Sequence, residues 1–289
     1  MDRMIDVALA SCLTLPEPDP DEAPLLRALS ERGVRAEVLA WDDPAADFSR
    51  ARLTVLRATW NYHRAPGAFV RWLREAGART ELLNPPEVVL WNMHKRYLLE
   101  LSARAVPVLP TELVLAGAAC SLGELVAQRG FRDLVVKPAV SAGSRGARRF
   151  AASELEAAQA HLAAITATED ALVQPYAAEV ERRGERSLVW IDGEITHALR
   201  KAPRFDGQGE DITAAPDISR QERELAQLAV EAVGAPLFYA RVDTVTGPAG
   251  PMLMELELIE PSLYFDASPV ALDRFASGVV ARLSALRQR

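Results

Sequence analysis

Two acidic residues near the C-terminus, Glu255 and Glu257, occupy alternate positions of an otherwise apolar segment, residues 253–259. Such a segment predicts a β-strand. Because successive strand side chains point to opposite faces, the two carboxylates share a face, roughly 7 Å apart. In surroundings with an effective dielectric constant of about 20, they would repel each other by roughly 2–3 kcal/mol. A cation beside them, or full exposure to water, is therefore expected.

A second apolar segment, residues 238–245, places Arg241 and Asp243 on one face of another predicted strand. If the two strands pair side by side, three carboxylates come together. Oxygen-only clusters suit Mg²⁺, especially Mg²⁺ that is shared with the phosphates of a substrate. The alternative is an exposed hairpin whose charged face is solvated, and these strands alone leave both interpretations open. By the same alternation, Glu260 falls on the opposite face and outside this set.

Another candidate site is the segment 135–146, in which Lys137 ends a predicted strand and a loop of small residues follows. Gly143 and Gly146 in that loop permit close backbone approach, and successive N–H groups can cradle phosphate oxygens. The lysine precedes the glycines, so the segment is not a Walker A loop. Taken alone, a plain surface turn is the favoured interpretation.

Length and composition indicate a soluble globular protein of two or three domains. The chain has 289 residues, of which 49 % are hydrophobic and 25 % charged. Its net charge of −7 disfavours nonspecific binding to nucleic acid or to anionic membranes. No signal peptide or membrane-spanning segment is expected. Cys12 and Cys120 lie far apart, which argues against a disulfide and for a cytoplasmic location. The four scattered histidines do not predict a zinc site, and a homodimer is a common state for such enzymes.

The first third of the chain alternates strand-like and helical patterns, which predicts an open parallel α/β layer. The predicted strands are residues 4–10, 34–40 and 53–56, and the predicted helices are residues 20–33 and 66–77. The break at Asn84-Pro85-Pro86 is a candidate domain boundary.

The remainder predicts two α+β units, so the predicted domains are residues 1–88, 89–174 and 175–289. The predicted helices of these units are residues 93–105, 122–129, 153–165, 220–233 and 270–286. The predicted strands are residues 108–115, 134–137, 171–174, 186–191 and 194–199, together with the two acidic-face strands. A long polar loop, residues 203–216, is either mobile or a cover for an active site.

Ligands of open α/β sheets bind at the C-terminal ends of the strands. The segment 57–63 follows the third predicted strand and is dense in polar and aromatic side chains. Arg57 could hold a substrate carboxylate in a fork, and Asn61 is a second candidate contact. The alternative is a capped helix start with Trp60 and Tyr62 packed beneath it.

The order of these features resembles the glutathione-synthetase-like branch of the ATP-grasp superfamily over nearly the whole chain. The succession is Lys95, Lys137, the Gly loop, a strand running into Gln174-Pro175-Tyr176, Lys201, Asp243 and the Glu255/Glu257 strand. The resemblance implies an ATP-grasp fold with two α+β subdomains that enclose ATP, behind an N-terminal open parallel α/β domain.

The resemblance also implies a role for each matching position. The implied ATP contacts are the phosphate-binding Lys95 and Lys137, the lid residues Ser141, Gly143, Ser144 and Gly146, the adenine-side hinge Gln174, Pro175 and Tyr176, and the ribose acceptor Glu185. Lys201, or its neighbour Arg200, would lie near the γ-phosphate, and Arg241 is a second candidate catalytic cation. The implied Mg²⁺ ligands are Asp243, Glu255 and Glu257, and Mn²⁺ could take the place of Mg²⁺. Where the branch usually has Glu-x-Asn, this chain has Glu255-Leu256-Glu257.

Members of this superfamily activate a carboxylate as an acyl phosphate, which a nucleophile, usually an amine, then displaces. Residues 57–63 and 255–263 look like a narrower group that includes the O-ureido-D-serine cyclo-ligase of D-cycloserine biosynthesis. A small amino-acid-like substrate is implied, with Ser262 as a further contact. Two other functions remain open: an ATP-binding module that does not catalyse, and a kinase that phosphorylates a hydroxyl.

Overall fold

The first sheet of the computed structural model, which describes residues 5–202, 212–215 and 217–287, consists of four parallel strands. The strands are β1 (Ile5–Ser11), β2 (Ala36–Ala40), β3 (Ala51–Ala58) and β4 (Glu81–Leu83), in the order β2-β1-β3-β4. Helix α1 (Glu22–Glu31) and helix α2 (Pro66–Gly77) connect them. The parallel α/β layer predicted from the sequence is confirmed.

The second sheet is antiparallel and follows two short helices, α3 (Pro86–Asn92) and α4 (Tyr97–Ala103). Its strands are β5 (Glu112–Val114), β6 (Leu134–Pro138), β7 (Arg148–Phe150) and β8 (Ala171–Pro175), in the order β5-β8-β6-β7. Helices α5 (Leu122–Arg129) and α6 (Leu155–Thr166) pack on one face of this sheet.

The third sheet, also antiparallel, follows the short helix α7 (Glu179–Arg183). Its strands are β9 (Glu185–Ile191), β10 (Glu194–Lys201), β11 (Ile212–Ala214), β12 (Tyr239–Gly247) and β13 (Gly250–Glu257), in the order β11-β10-β9-β12-β13. Helix α8 (Arg220–Ala232) shares a core with one face of the sheet. The last helix, α9 (Pro269–Leu286), shares a core with the other face and with the first sheet.

Strand alternation decides which side chains leave the core. In β6, Leu134 and Val136 are buried against the helices, so Lys137 points to the opposite face. In β12, Val242 is buried in the core beside α8, so Arg241 and Asp243 point away from it. The charged residues therefore lie on the face of the second sheet opposite α5 and α6, and on the face of the third sheet opposite α8.

Two predicted elements differ from the structure. The helix predicted over residues 93–105 is broken at Lys95, because the Lys95 N–H donates to Ala139 O (2.8 Å) instead of continuing a helix. The strand predicted over residues 108–115 is confined to β5, because Val108 forms an isolated bridge with Leu253. No helix within the described ranges is long and apolar enough to cross a bilayer.

Candidate active site

A cavity of about 630 Å³ is lined by residues of the second and third sheets and by the segment that follows β3. Pockets for small molecules and cofactors commonly enclose about 300–1,000 Å³. The cavity is therefore large enough for a nucleotide together with a small substrate.

The carboxylates predicted to share a strand face line one wall of this cavity. In the antiparallel pair β12–β13, Asp243 lies opposite Glu255 and Arg241 lies opposite Glu257. Leu256, between the two glutamates, is buried in the core beside α8. The wall is therefore the charged face of the strand pair, and the predicted grouping of three carboxylates is confirmed.

Every lysine of the chain reaches this cavity: Lys95, Lys137 and Lys201 are its only lysines, and all three line the cavity and are buried. The remaining basic residues are arginines, so the small, strongly hydrated ammonium group occurs only here and at the N-terminus. Lysine suits a phosphate site as a movable point charge. This distribution favours an anion-binding role for the cavity.

Lys95 and Lys137 both pair with Glu255, at 3.1 and 3.8 Å. Burial would raise the pKa of Glu255, but the two ammonium groups outweigh it and hold the pKa below its usual value. Burial lowers the pKa of Lys137, although Glu255 opposes the shift. Two cations thus share one carboxylate, which leaves positive charge for a further anion.

The second charge cluster surrounds Asp243. Arg241 Nη2 and Lys201 Nζ donate to Asp243 Oδ2 at 2.9 and 3.3 Å, and Arg241 also contacts Glu257. Burial alone would raise the pKa of Asp243, but Arg241 and Lys201 hold it well below its usual range. Asp243 is therefore ionised at neutral pH.

These carboxylates are a fitting donor set for Mg²⁺, because all their donor atoms are oxygens and they lie on one wall. Within the described ranges, however, no three or more His, Cys, Asp or Glu side chains converge closely enough to hold a metal ion. Lys95, Lys137 and Arg241 occupy the carboxylate oxygens instead. The residues fit a metal that binds together with phosphates, since phosphates would give these cations other partners.

The predicted lid follows β6. Ser141, Gly143 and Ser144 line the cavity, whereas Gly146 lies outside the lining. The Lys95 ammonium donates to Ser141 O at 2.6 Å, so the start of the loop is tied to one of the two lysines predicted to bind phosphate. Gly146 has a φ of +71° and its Cβ would lie 2.9 Å from a Pro138 carbon, which accounts for glycine there by local sterics.

The predicted hinge also lines the cavity through Gln174, Pro175 and Tyr176. The Tyr176 N–H donates to Asp133 O at 2.8 Å, so this N–H is already engaged in the structure. The adenine-side role of this hinge would therefore fall to its other backbone groups, and it stays a prediction. Arg149 was missed by the sequence analysis and stacks over the Tyr176 ring at 3.7 Å.

The structure separates the two neighbouring cations at the end of β10. Lys201 lines the cavity, whereas Arg200 is exposed and donates to Arg183 O at 2.7 Å. Lys201 also lies 3.5 Å from Glu185, the predicted ribose acceptor, which lines the cavity too. Burial raises the pKa of Glu185 to about 8, although Lys201 opposes the shift.

The predicted role of Arg57 is corrected. Arg57 is not among the described residues that line the cavity. It is buried, and its guanidinium donates to Asp21 at 2.9 Å and to Pro261 O at 3.0 Å. Because the Arg57 guanidinium already binds the carboxylate of Asp21, it does not bind a substrate carboxylate.

The other two predicted substrate contacts, Asn61 and Ser262, line the cavity. The Asn61 amide bridges Trp41 Nε1 at 2.6 Å and Asp42 at 2.7 Å. This side chain is therefore oriented by its neighbours before any ligand binds.

Sequence reasoning excluded Glu260, yet this residue lines the cavity. The exclusion assumed that strand alternation continues, but β13 ends at Glu257. Asn92 and Tyr97 were also missed: Asn92 donates to Leu256 O at 2.8 Å, and the Tyr97 hydroxyl accepts from Leu256 N at 3.1 Å. Both clamp the middle of the acidic strand, and no local sequence signal marks them.

The predicted cover, residues 203–216, is described only at residues 212–215, where Ile212–Ala214 forms an edge strand. Residues 203–211 and 216 lie outside the described ranges, so the covering role stays a prediction.

Comparison with known proteins assigns this chain to a family. The family model for D-cycloserine synthetase DcsG, N-terminal domain, matches residues 7–84. The cycloserine biosynthesis protein DcsG of Streptomyces lavendulae is 35 % identical over 282 residues, which cover 92 % of this chain and 94 % of that protein.

Solved structures support the same family assignment. The crystal structure of D-cycloserine synthetase DcsG is 33 % identical, with a TM-score of 0.89 over 96 % of this chain and 99 % of that chain. D-Alanine–D-alanine ligase from Bacillus anthracis, solved with ATP, is only 12 % identical but has a TM-score of 0.72 over 98 % of this chain and 99 % of that chain. The second likeness shows the fold alone. The chain therefore belongs to the DcsG family, has the ATP-grasp fold, and is an ATP-dependent ligase.

Proposed function

We propose that the chain uses ATP and Mg²⁺ to convert the carboxylate of a small amino-acid-like substrate into an acyl phosphate, which a nitrogen nucleophile then displaces. The observation that carries this proposal is the sharing of Glu255 by two buried lysines within one cavity. Such a site has positive charge in place before phosphate arrives, which is the preorganisation that phosphoryl transfer needs.

The names of the relatives suggest the product. The solved relative is named as a D-cycloserine synthetase, and the Streptomyces lavendulae relative is named as a cycloserine biosynthesis protein. Cycloserine is a cyclic compound, so we infer that the nucleophilic nitrogen belongs to the same molecule as the activated carboxylate. The C–N bond forms at the acyl carbon as its bond to the phosphate oxygen breaks, and the nitrogen loses a proton. With O-ureido-D-serine the ring nitrogen still carries the carbamoyl group, which D-cycloserine lacks, so hydrolysis must then release that group as carbon dioxide and ammonia. O-ureido-D-serine is the substrate to test first.

Each part of the charged wall has a role in this proposal. Lys95 and Lys137 bind the transferring phosphate, and Lys201 neutralises charge beside them. Asp243, Glu255 and Glu257 would hold Mg²⁺, which would neutralise the phosphate oxygens; Mn²⁺ has the same preference for oxygen ligands. No Ser or Cys nucleophile is needed, because the substrate supplies its own.

An acyl phosphate is lost if water reaches it. Ser141, Gly143 and Ser144 lie along the cavity edge, and the loop 203–216 adjoins β10 in the sequence. We assign both segments to the exclusion of water. Cys12 and Cys120 are free thiols, in keeping with the proposed cytoplasmic location, and a homodimer stays a prediction.

The test is incubation of the purified chain with ATP, Mg²⁺ and O-ureido-D-serine, with ADP, phosphate and D-cycloserine measured together. Equal amounts of all three, absent without ATP, support the proposal. A stable phosphorylated product would identify a kinase instead. ATP binding without turnover of this substrate or of a panel of amino acids would identify a binding module.

A further inference from the structure

One buried carboxylate of the cavity differs from the other buried carboxylates there in forming no ion pair. Glu185, Asp243, Glu255 and Glu257 each pair with a lysine or arginine. Within the described part of the chain, no Lys, Arg or His forms an ion pair with Glu260, which nevertheless lines the cavity and is only 8 % exposed. A buried carboxylate without a counter-ion is costly unless something else supplies one.

The position of Glu260 indicates where that counter-ion would come from. Glu260 follows the end of β13, beside the segment after β3, and its backbone carbonyl accepts from Trp60 Nε1 at 3.1 Å. Trp60, Tyr62 and Tyr264 line the same cavity. Burial, and next the charge of Glu260, raise the pKa of Tyr62. Aromatic faces beside a carboxylate form an environment that attracts an organic ammonium group.

We propose that Glu260 binds the ammonium group of an amino-acid substrate in this cavity, an assignment that rests on the proposed ligase function. The ammonium supplies the ion-pair partner that Glu260 lacks among the described residues, and Trp60 flanks it. Lys95 and Lys137, which line the same cavity, receive the phosphate that is transferred to the substrate carboxylate. The ammonium group of the amino acid is thereby held by the negative Glu260, and the phosphate on its carboxylate is held by the positive Lys95 and Lys137.

The protonation of Glu260 agrees with this assignment. Burial, with the charge of Glu257, raises the pKa of Glu260 to about 8. These influences favour the neutral acid at neutral pH, and an ammonium group beside Glu260 would favour the ionised form. An ammonium-bearing ligand is therefore distinguished from an otherwise identical ligand that lacks the amino group.

The decisive experiment compares Glu260→Gln with Glu17→Gln, which makes the same change at an exposed carboxylate of the cavity. Binding of O-ureido-D-serine, D-serine and the des-amino analogue of O-ureido-D-serine is measured by calorimetry with Mg²⁺ and a non-hydrolysable ATP analogue present. Glu260→Gln should raise the Kd of the two amino acids at least tenfold and leave the Kd of the ATP analogue unchanged. The des-amino analogue should bind the wild type and both variants about equally weakly.

Unchanged amino-acid affinity in Glu260→Gln, or tight binding of the des-amino analogue to the wild type, overturns the assignment. A fall in kcat with an unchanged KM also overturns it, since that result would make Glu260 a proton-transfer group. The proposed function fails separately if the wild type binds these amino acids through Glu260 but forms no ADP. The unchanged Kd of the ATP analogue shows that Glu260→Gln is folded.

Discussion

Arg57 and Asp21 form a buried ion pair that holds the loop after the acidic strand. Arg57 Nη2 lies 2.9 Å from Asp21 Oδ2, with side chains 4 % and 1 % exposed. Asp21 also accepts the N–H groups of Leu263, Tyr264 and Phe265. Asp21 and Arg57 are thus positioning residues for the loop that brings Ser262 and Tyr264 to the cavity.

Replacing Asp21 by alanine should destabilise the protein by about 3–5 kcal/mol, because Arg57 becomes a buried charge without its partner. We also expect Asp21→Asn, the milder change, to raise the KM for the amino-acid substrate several-fold and leave that for ATP unchanged. Urea unfolding measures the first effect and steady-state kinetics the second. Asp273→Ala is the control, since Asp273 is 68 % exposed in its pair with Arg32 and should cost less than about 1 kcal/mol.

The chain's lysine distribution gives a second prediction. An amine-reactive acylating reagent should modify the N-terminus quickly and Lys95, Lys137 and Lys201 slowly, because all three side chains are buried. A non-hydrolysable ATP analogue with Mg²⁺ should slow the modification of Lys95 and Lys137 at least several-fold further. Peptide mass spectrometry measures the extent of modification at each lysine. N-terminal labelling is the internal control. If Lys95 and Lys137 are modified at the same rates with and without the analogue, neither lysine belongs to the phosphate site.

Regular alternation made much of this site predictable. Side chains alternate between the two faces of a strand, and this alternation alone predicts which residues of β12 and β13 share a face. Arg241, Asp243, Glu255 and Glu257 were therefore placed correctly relative to each other. The order of the lysines along the chain predicts, through the family resemblance, where phosphate binds, and all three lysines line the cavity.

The failures have a common physical cause. Arg57 was assigned to substrate because its partner, Asp21, lies 36 positions earlier in the sequence, and no local pattern shows such a pair. Glu260 was excluded because alternation has no meaning beyond the end of a strand. Lys95 leaves the predicted helix because a tertiary acceptor, Ala139 O, takes its N–H.

The third prediction concerns Glu257. Glu257→Gln should raise the Mg²⁺ concentration needed for half-maximal turnover several-fold, because an amide is a weaker ligand than a carboxylate for a hard cation. The fold should survive, since Arg241 keeps its bonds to Asp243. Glu156→Gln, on the exposed face of α6, should leave the Mg²⁺ titration unchanged. An unchanged titration for Glu257→Gln would exclude Glu257 from the metal shell.

A pH dependence of stability is expected from His63. Burial, and next the charges of Arg145 and Arg64, lower the pKa of His63 to about 4, whereas an unfolded histidine titrates near about 6.5. Between these values the unfolded chain binds more protons, so the free energy of unfolding falls as the pH is lowered. At pH of about 5 this effect should amount to about 1 kcal/mol after allowance for solvent screening.

Urea unfolding at neutral and acidic pH tests this contribution. His63→Gln should lose about 1 kcal/mol less stability than the wild type on acidification. Identical losses for His63→Gln and the wild type would contradict a depressed pKa at His63.

The final prediction uses two glycines that both have a positive φ but differ in their surroundings. Gly184 has a φ of +71°, and a Cβ there would lie 2.7 Å from Lys201 O; Gly193 has a φ of +92° and nothing within 4 Å. Alanine at either position should cost about 1–3 kcal/mol through backbone strain. Only Gly184→Ala should also displace Lys201 from Glu185 and lower kcat/KM for ATP at least tenfold. Equal kinetics for the two variants would mean that the end of β10 can shift without moving the Lys201 ammonium.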